Sequence, residues 1–399
     1  MMYFLRSSIM YISESSPLAL TLYATAFVTI FMYFKMLICG NQAPKLYYKD
    51  STLAQYLLKR CTILTEPYVP TFWATNSHLQ TILAALLPWP SVDFSREYFM
   101  MKDKGMVALD WAMSKPWILN KTSPVLLIIP GLTGGAESMA GVCQMASIRG
   151  YRCVVFNKRG HGGTRLSTPK LQSFGDPSDL RQCVKYIRMR YPKASIVGLG
   201  SSAGSGLLVS YLGEFGSSAY LKAGVLISPG YDAAELFSNT IQKPYEYILL
   251  YSLKRLLSKH LHALSDVIHP HQALQANSLT EFEDAVYNKM YGYETMDHYW
   301  DKNNPMRDVD DVSIPVMCIN SIDDPICKKK NIPFELFEIY PNFLLAATHK
   351  GGHCGFFTGS IPHSWADKVA VEYLDAVLDF MKTSNCKSMS VSINNNNIS

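Results

Sequence analysis

Short apolar runs, four or five residues long and nearly free of polar side chains, recur along the chain at 125–129, 153–156, 195–199, 224–227, 316–319 and 344–347. Strands buried on both faces have this character, as the members of a mostly parallel sheet do. Between the runs the spacing changes, and apolar residues return every third or fourth position. That period predicts helices over 136–149, 179–191, 203–212 and 367–381. In the second of these, Leu180, Val184, Ile187 and Tyr191 mark one apolar face. Strands alternating with helices predict an α/β fold, a mostly parallel sheet flanked by helices. The alternation breaks over 231–304, a stretch rich in Tyr, Leu and His with a helical pattern and no clear strand. It is expected to be a helical insertion that caps a site.

The front of the chain has a different pattern. Residues 15–34, SSPLALTLYATAFVTIFMYF, carry no charge, and as a helix they would extend about 30 Å, the thickness of a bilayer's hydrocarbon core. This predicts a transmembrane signal anchor behind a short tail at 1–14. A cleaved signal peptide would have a shorter apolar core and a better cleavage site than ICGNQA. Lys35, Lys45 and Lys49 outnumber Arg6 across the segment, a bias that leaves the bulk of the chain in the cytosol. The sequon Asn120-Lys121-Thr122 would matter only on the lumenal side, so the side of the catalytic domain stays open. The resulting division is a tail at 1–14, an anchor at 15–34, a membrane-proximal segment at 35–94 and one α/β domain at 95–383. The polar run SINNNNIS closes a tail at 384–399 that is expected to be disordered.

Composition narrows the function classes. The chain has 399 residues, 48% hydrophobic and 17% charged, which excludes a disordered or collagen-like chain. Lys plus Arg number 37 against 32 for Asp plus Glu, and no basic cluster accompanies this small surplus, so nothing argues for nucleic acid as a partner. Nine cysteines form no CxxC pair and lie in apolar runs, as reduced buried thiols do.

The candidate chemistry centres on Gly200-Ser201-Ser202-Ala203-Gly204, a G-x-S-x-G pattern between the predicted strand at 195–199 and the predicted helix from 203. Small residues around a serine on a tight strand-to-helix turn are what a nucleophile elbow requires. Alone the pattern is weak; its context makes it informative. A serine hydroxyl needs a base to take its proton, and the base needs a third group to hold its tautomer. Where such an elbow is used, acid and histidine follow in that order, each on a loop after a later strand. Ser321-Ile322-Asp323-Asp324-Pro325 follows one predicted strand and Thr348-His349-Lys350-Gly351-Gly352-His353 the next. Asp324, directly before the proline, is preferred to Asp323. His353, set between glycines and Cys354-Gly355, is preferred to His349. The two histidines could instead be a metal pair, but no third ligand follows at a recognisable spacing, and no metal or organic cofactor is called for. An oxyanion hole would take one N–H from Ala203 and a second from Leu132 in Pro130-Gly131-Leu132-Thr133-Gly134-Gly135, which is neither a P-loop nor GxGxxG. The turn Asn157-Lys158-Arg159-Gly160-His161-Gly162-Gly163 is expected to be structural.

With these residues in view the chain resembles the α/β-hydrolase fold. Within it, the chain is similar to the membrane-anchored group, the AB hydrolase 4 family, that includes α/β-hydrolase domain-containing proteins 1, 2 and 3. The segments that carry the likeness include YVPTFW (68–73), LQTIL (79–83), PGLTGGAES (130–138), GYRCVVFNKRGHGGT (150–164), GSSAGSGLLVSYLG (200–213), MYGYETMDHYW (290–300), NSIDDP (320–325) and GGHCGF (351–356). Proteins 1 and 3 match best over 290–325. The resemblance implies a single-pass anchor in the endoplasmic reticulum or another endomembrane, and a triad of Ser202, Asp324 and His353. It also implies a phospholipase-like hydrolase that acts on acyl esters of glycerophospholipids such as phosphatidylcholine. A short-chain carboxylesterase or an acyltransferase would share all these parts. A non-catalytic lipid-binding protein would not need them. The bilayer and an acyl-ester lipid are the expected partners, with no obligate protein partner inferred.

Overall fold

The computed structural model describes residues 16–38, 42–87, 90–113 and 119–396; the tail at 1–14 lies outside them. Nine strands form one sheet: β1 (Lys45–Tyr48), β2 (Phe94–Met100), β3 (Met106–Ala112), β4 (Val125–Ile129), β5 (Arg152–Asn157), β6 (Ile196–Ser201), β7 (Gly224–Ile227), β8 (Val316–Ser321) and β9 (Phe343–Thr348). Their order is β1-β9-β8-β7-β6-β4-β5-β3-β2. The strands from β4 to β9 are mutually parallel, in registers such as Val125 opposite Ile196 and Gly224 opposite Val316. Three antiparallel strands complete the edges, β1 against β9 on one side, β3 and β2 beyond β5 on the other.

All six of the apolar runs become these parallel strands, and the period of two explains why they carry no polar face. In β4, Leu126 and Ile128 enter one apolar cluster while Val125, Leu127 and Ile129 enter the cluster on the opposite face. Each such buried side chain contributes about 1.5–3 kcal/mol relative to exposure. The first face is covered by α2 (Thr52–Arg60), α4 (Ala140–Ile148) and α10 (Trp365–Asn396), the second by α5 (Ser178–Arg190) and α6 (Ala203–Phe215). The predicted apolar face of α5 is the buried one: Leu180, Val184 and Ile187 are fully enclosed.

Between β7 and β8 the described residues form helices and no strand. Among these are α7 (Lys243–Ser258), α8 (Leu279–Glu283) and α9 (Met296–Asn303). They gather a third apolar cluster of their own around Leu253, Leu257, Phe282 and Tyr299. The segment at 35–94 is more closely joined to the domain than a membrane-proximal stretch needs to be. It supplies β1, α2 and α3 (Ser77–Leu86), the last capped by the Asn76 side chain, which accepts from the N–H groups of His78 and Leu79. At the other end α10 runs on to Asn396, where the polar pattern predicts disorder. Gly and Pro, the residues that end helices most sharply, do not occur between 365 and 396.

The expected membrane-crossing anchor is not supported. A helix, α1 (Pro17–Ile38), does stand there, but among the described residues no helix is long and apolar enough to cross a membrane. Threonines at 21, 25 and 29 recur along α1 and lower its hydropathy; each hydroxyl donates to the carbonyl four residues earlier at 2.7–2.8 Å. The apolar side chains of Leu18, Leu22, Phe27 and Phe31 stand exposed. The single-pass placement in an endomembrane rested on that span and is not supported either.

Candidate active site

Because β4 to β9 are parallel, the loops after them meet at one edge of the sheet, the usual place for a ligand site in an open α/β sheet. Four of these loops carry the residues singled out in the sequence. Leu132 follows β4, Ser202 follows β6, Asp324 follows β8 and His353 follows β9.

Only one residue separates β6 from α6, so the chain reverses at Ser202 itself, with φ +53° and ψ −120°. A residue with a Cβ in that region stores strain of order 1–3 kcal/mol. The turn is held by the Ser202 N–H, which donates to the Ile227 carbonyl at 2.8 Å. The flanking glycines are needed for clearance. A Cβ on Gly204 would stand 2.1 Å from the Ile129 carbonyl oxygen, and one on Gly200 would stand 2.5 Å from that of Gly204.

Ser202 Oγ lies 2.7 Å from His353 Nε2, and His353 Nδ1 lies 2.8 Å from Asp324 Oδ2. The other carboxylate oxygen of Asp324 accepts from the backbone N–H groups of Ile326 and Cys327 at 2.7 and 2.9 Å, which fixes the acid before the imidazole meets it. Asp323 faces away, accepting from Ser321 Oγ at 2.5 Å and the Gly352 N–H at 3.0 Å. His349 is exposed. Burial of His353 opposes its charged form, while the Asp324 carboxylate and the neighbouring Cys354 and Cys327 sulfurs favour it, and together they raise the imidazole's pKa well above its ordinary value.

Of the two proposed oxyanion donors, the Ala203 N–H opens α6 directly after the serine, and the Leu132 N–H belongs to the loop after β4. Among the described residues neither meets a protein acceptor. Both residues line, with Ser202 and His353, a cavity of about 520 Å³, within the range of small-molecule sites. Its walls are largely apolar and include Ile82 and Leu86 of α3 and Phe237, Ile241, Ile248 and Leu249 of the insertion. Helix α3 and the insertion are tied together where His78 Nδ1 and Tyr245 Oη approach to 2.7 Å.

His161 is not part of this constellation. It is buried with Nδ1 on the Arg159 carbonyl at 2.9 Å, and burial pushes its pKa down to about 3. Among the described residues, Asp324, Cys327 and His353 have ligand atoms within 4.8 Å of one another. The hydrogen bonds just given already engage both ring nitrogens of His353 and both oxygens of Asp324, so the grouping is accounted for without an ion.

The sequence did not single out Thr81. Its hydroxyl accepts from the His353 backbone N–H at 2.9 Å and donates to the Ser77 carbonyl at 2.8 Å, so α3 fixes the backbone of the histidine across 272 residues of chain. The one available signal was that Thr81 lies in LQTIL, a segment that carries the family likeness.

Residues 124–360 match the family model described as the alpha/beta hydrolase fold. The chain is 39% identical over 350 residues to human Protein ABHD15, covering 84% of this chain and 74% of that one. It is 32% identical to bovine Phospholipase ABHD3 and 28% identical to mouse Monoacylglycerol lipase ABHD2, each alignment covering 84% of this chain and 85% of the relative.

Proposed function

The chain belongs to the alpha/beta hydrolase fold family and is a serine ester hydrolase, and from that premise we propose that it cleaves fatty-acyl esters of glycerophospholipids, phosphatidylcholine among them. The observation that carries this reading is the run of contacts from Asp324 through His353 to Ser202, which lines an apolar cavity together with Leu132 and Ala203. Two relatives named for lipid substrates, a phospholipase and a monoacylglycerol lipase, support the substrate class.

In this mechanism Ser202 Oγ attacks the ester carbonyl carbon while His353 Nε2 takes its proton, and Asp324 stabilises the imidazolium that results. The carbonyl oxygen becomes an anion between the N–H groups of Leu132 and Ala203. Such a donor contributes about 10²–10³-fold to turnover. Collapse breaks the ester C–O bond, the lysolipid alcohol leaves with the proton from His353, and an acyl-Ser202 remains. Water then attacks the acyl carbonyl as the same imidazole takes its proton, the bond to Ser202 Oγ breaks, and Oγ regains that proton from His353 as the fatty acid leaves. The helices of 231–304 would act as the cap, lining the acyl chain with Phe237, Ile241 and Leu249. The exposed apolar side chains of α1 would favour a lipid surface, where such substrates reside.

Purified protein is expected to release fatty acid from phosphatidylcholine vesicles with a higher kcat/KM than from p-nitrophenyl acetate. Turnover of the soluble short ester alone would overturn the lipid reading and leave a carboxylesterase.

The proton state of His353 gives a second expectation. The imidazole must be neutral to accept from Ser202, and its pKa is raised. Activity should therefore fall as pH drops, with the midpoint of the acid limb of kcat/KM above the ordinary histidine value of about 6.5. A pH–rate profile checks this; a midpoint at or below 6.5 would detach the limb from the His353–Asp324 pair.

A further inference from the structure

The turn after β5, expected from the sequence to be structural, places a buried cation behind the loop that follows β4. Lys158 is 7% exposed, and among the described residues no carboxylate lies within ion-pair distance of it. Its Nζ donates to the Gly131 carbonyl at 2.8 Å and to the Leu132 carbonyl at 3.1 Å. These two carbonyls flank Leu132, and the first belongs to the same peptide unit as the Leu132 N–H. We propose that Lys158 is a positioning residue of the oxyanion hole, holding the Leu132 N–H towards the cavity and strengthening it as a donor. This inference rests on the reading of Ser202 as nucleophile and Leu132 as its oxyanion partner.

The physical argument has two parts. Hydrogen bonds to the carbonyls on both sides of Leu132 fix both peptide planes, so its N–H cannot rotate away as charge develops on the ester oxygen. Such preorganisation, with no reorganisation at the moment of reaction, is what makes an oxyanion hole effective. In addition, an ammonium on the Gly131 carbonyl draws electron density through the amide and leaves its N–H more positive. Hydrogen bonds in a chain polarise one another in this way, more so where the surroundings are poorly polarisable. A neutral donor would suffice to staple a loop. A cation without a counter-charge is costly to bury, and burial pushes the Lys158 pKa down to about 7. His161 of the same turn and Glu283 and Tyr287 of the insertion line the small cavity that Lys158 shares with Leu132. None of them is bonded to Nζ.

The test compares wild type with Lys158→Met, which keeps the length and removes charge and donor, and Lys158→Gln, which keeps a donor without charge. Ser202→Ala runs alongside. Each is assayed with a p-nitrophenyl ester, with an acyl trifluoromethyl ketone, which forms a tetrahedral oxyanion on the serine, and with the matching non-reactive ether. Lys158→Met is expected to lower kcat about 10²–10³-fold, with KM changed less than threefold. The ketone should weaken by a similar factor and the ether not at all. Lys158→Gln should show the same pattern at about tenfold, and it decides the matter if the methionine variant does not fold. Wild-type kcat in the folded variants, or equal weakening of ketone and ether, would overturn the inference, the latter because it marks a merely structural role. Should Ser202→Ala still react with the ketone, the nucleophile reading itself fails; should it be silent while the Lys158 variants match wild type, only the inference fails.

Discussion

Replacing Ser202 by alanine is expected to lower ester turnover by about 10⁶-fold, the loss seen when the nucleophile of such a triad is removed, and to abolish labelling by a fluorophosphonate. Beyond its backbone N–H and carbonyl, whose bonds to Ile227 and Ser205 survive the change, the serine's bond is the one to His353. Alanine keeps the Cβ, so the strain of the positive φ at this position is the same in both proteins. The fold should therefore be retained, with an unfolding temperature within a few degrees of wild type, and the loss can be assigned to chemistry. Intact-mass spectrometry after labelling gives the readout. A labelled Ser202→Ala protein would place the nucleophile elsewhere, and an unlabelled but folded wild type would remove the hydrolase reading.

How much of this was legible in the sequence follows from which interactions are local. The parallel strands announce themselves because both faces are buried, so four or five apolar residues stand in a row. The antiparallel edge does not. β2 carries Phe94, Tyr98 and Met100 among Ser95, Arg96 and Glu97, half exposed along its length, and β1 is four residues of Lys, Leu and Tyr. Neither contrasts with its surroundings, and each becomes a strand by pairing with a distant one. Ser202, Asp324 and His353 could be singled out because each sits in the turn or loop that follows a strand that was itself legible. The choice between Asp323 and Asp324 is set by geometry, in that adjacent side chains on a tight turn point to opposite sides. Thr81 and Lys158 were not legible, since each acts on a backbone far along the chain through a contact no periodicity reports. At the front of the chain the count of uncharged residues alone set the expected span, and among the described residues no helix is long and apolar enough to support it.

Asp324→Asn is expected to cost about 10⁴-fold in kcat, and the surroundings of the carboxylate say how. Its Oδ1 is held by two backbone donors, the N–H groups of Ile326 and Cys327. In an asparagine the carbonyl oxygen keeps those donors, which turns the amide NH₂ towards His353 Nδ1. That nitrogen must then accept instead of donate, so the imidazole proton moves to Nε2, where it blocks transfer from Ser202. The loss comes from the wrong tautomer in an otherwise unchanged site, and KM should vary little. With the carboxylate gone, the largest of the causes that raise the His353 pKa is also removed, and whatever activity remains should show an acid limb at lower pH than wild type. Asp323→Asn is the control. Asp323 accepts from Ser321 and Gly352 and does not touch the imidazole, so its change should reduce kcat less than tenfold and stability by about 1 kcal/mol. Kinetics and thermal unfolding on the two variants separate the roles; a large kcat loss in Asp323→Asn with Asp324→Asn nearly active would transfer the acid to Asp323.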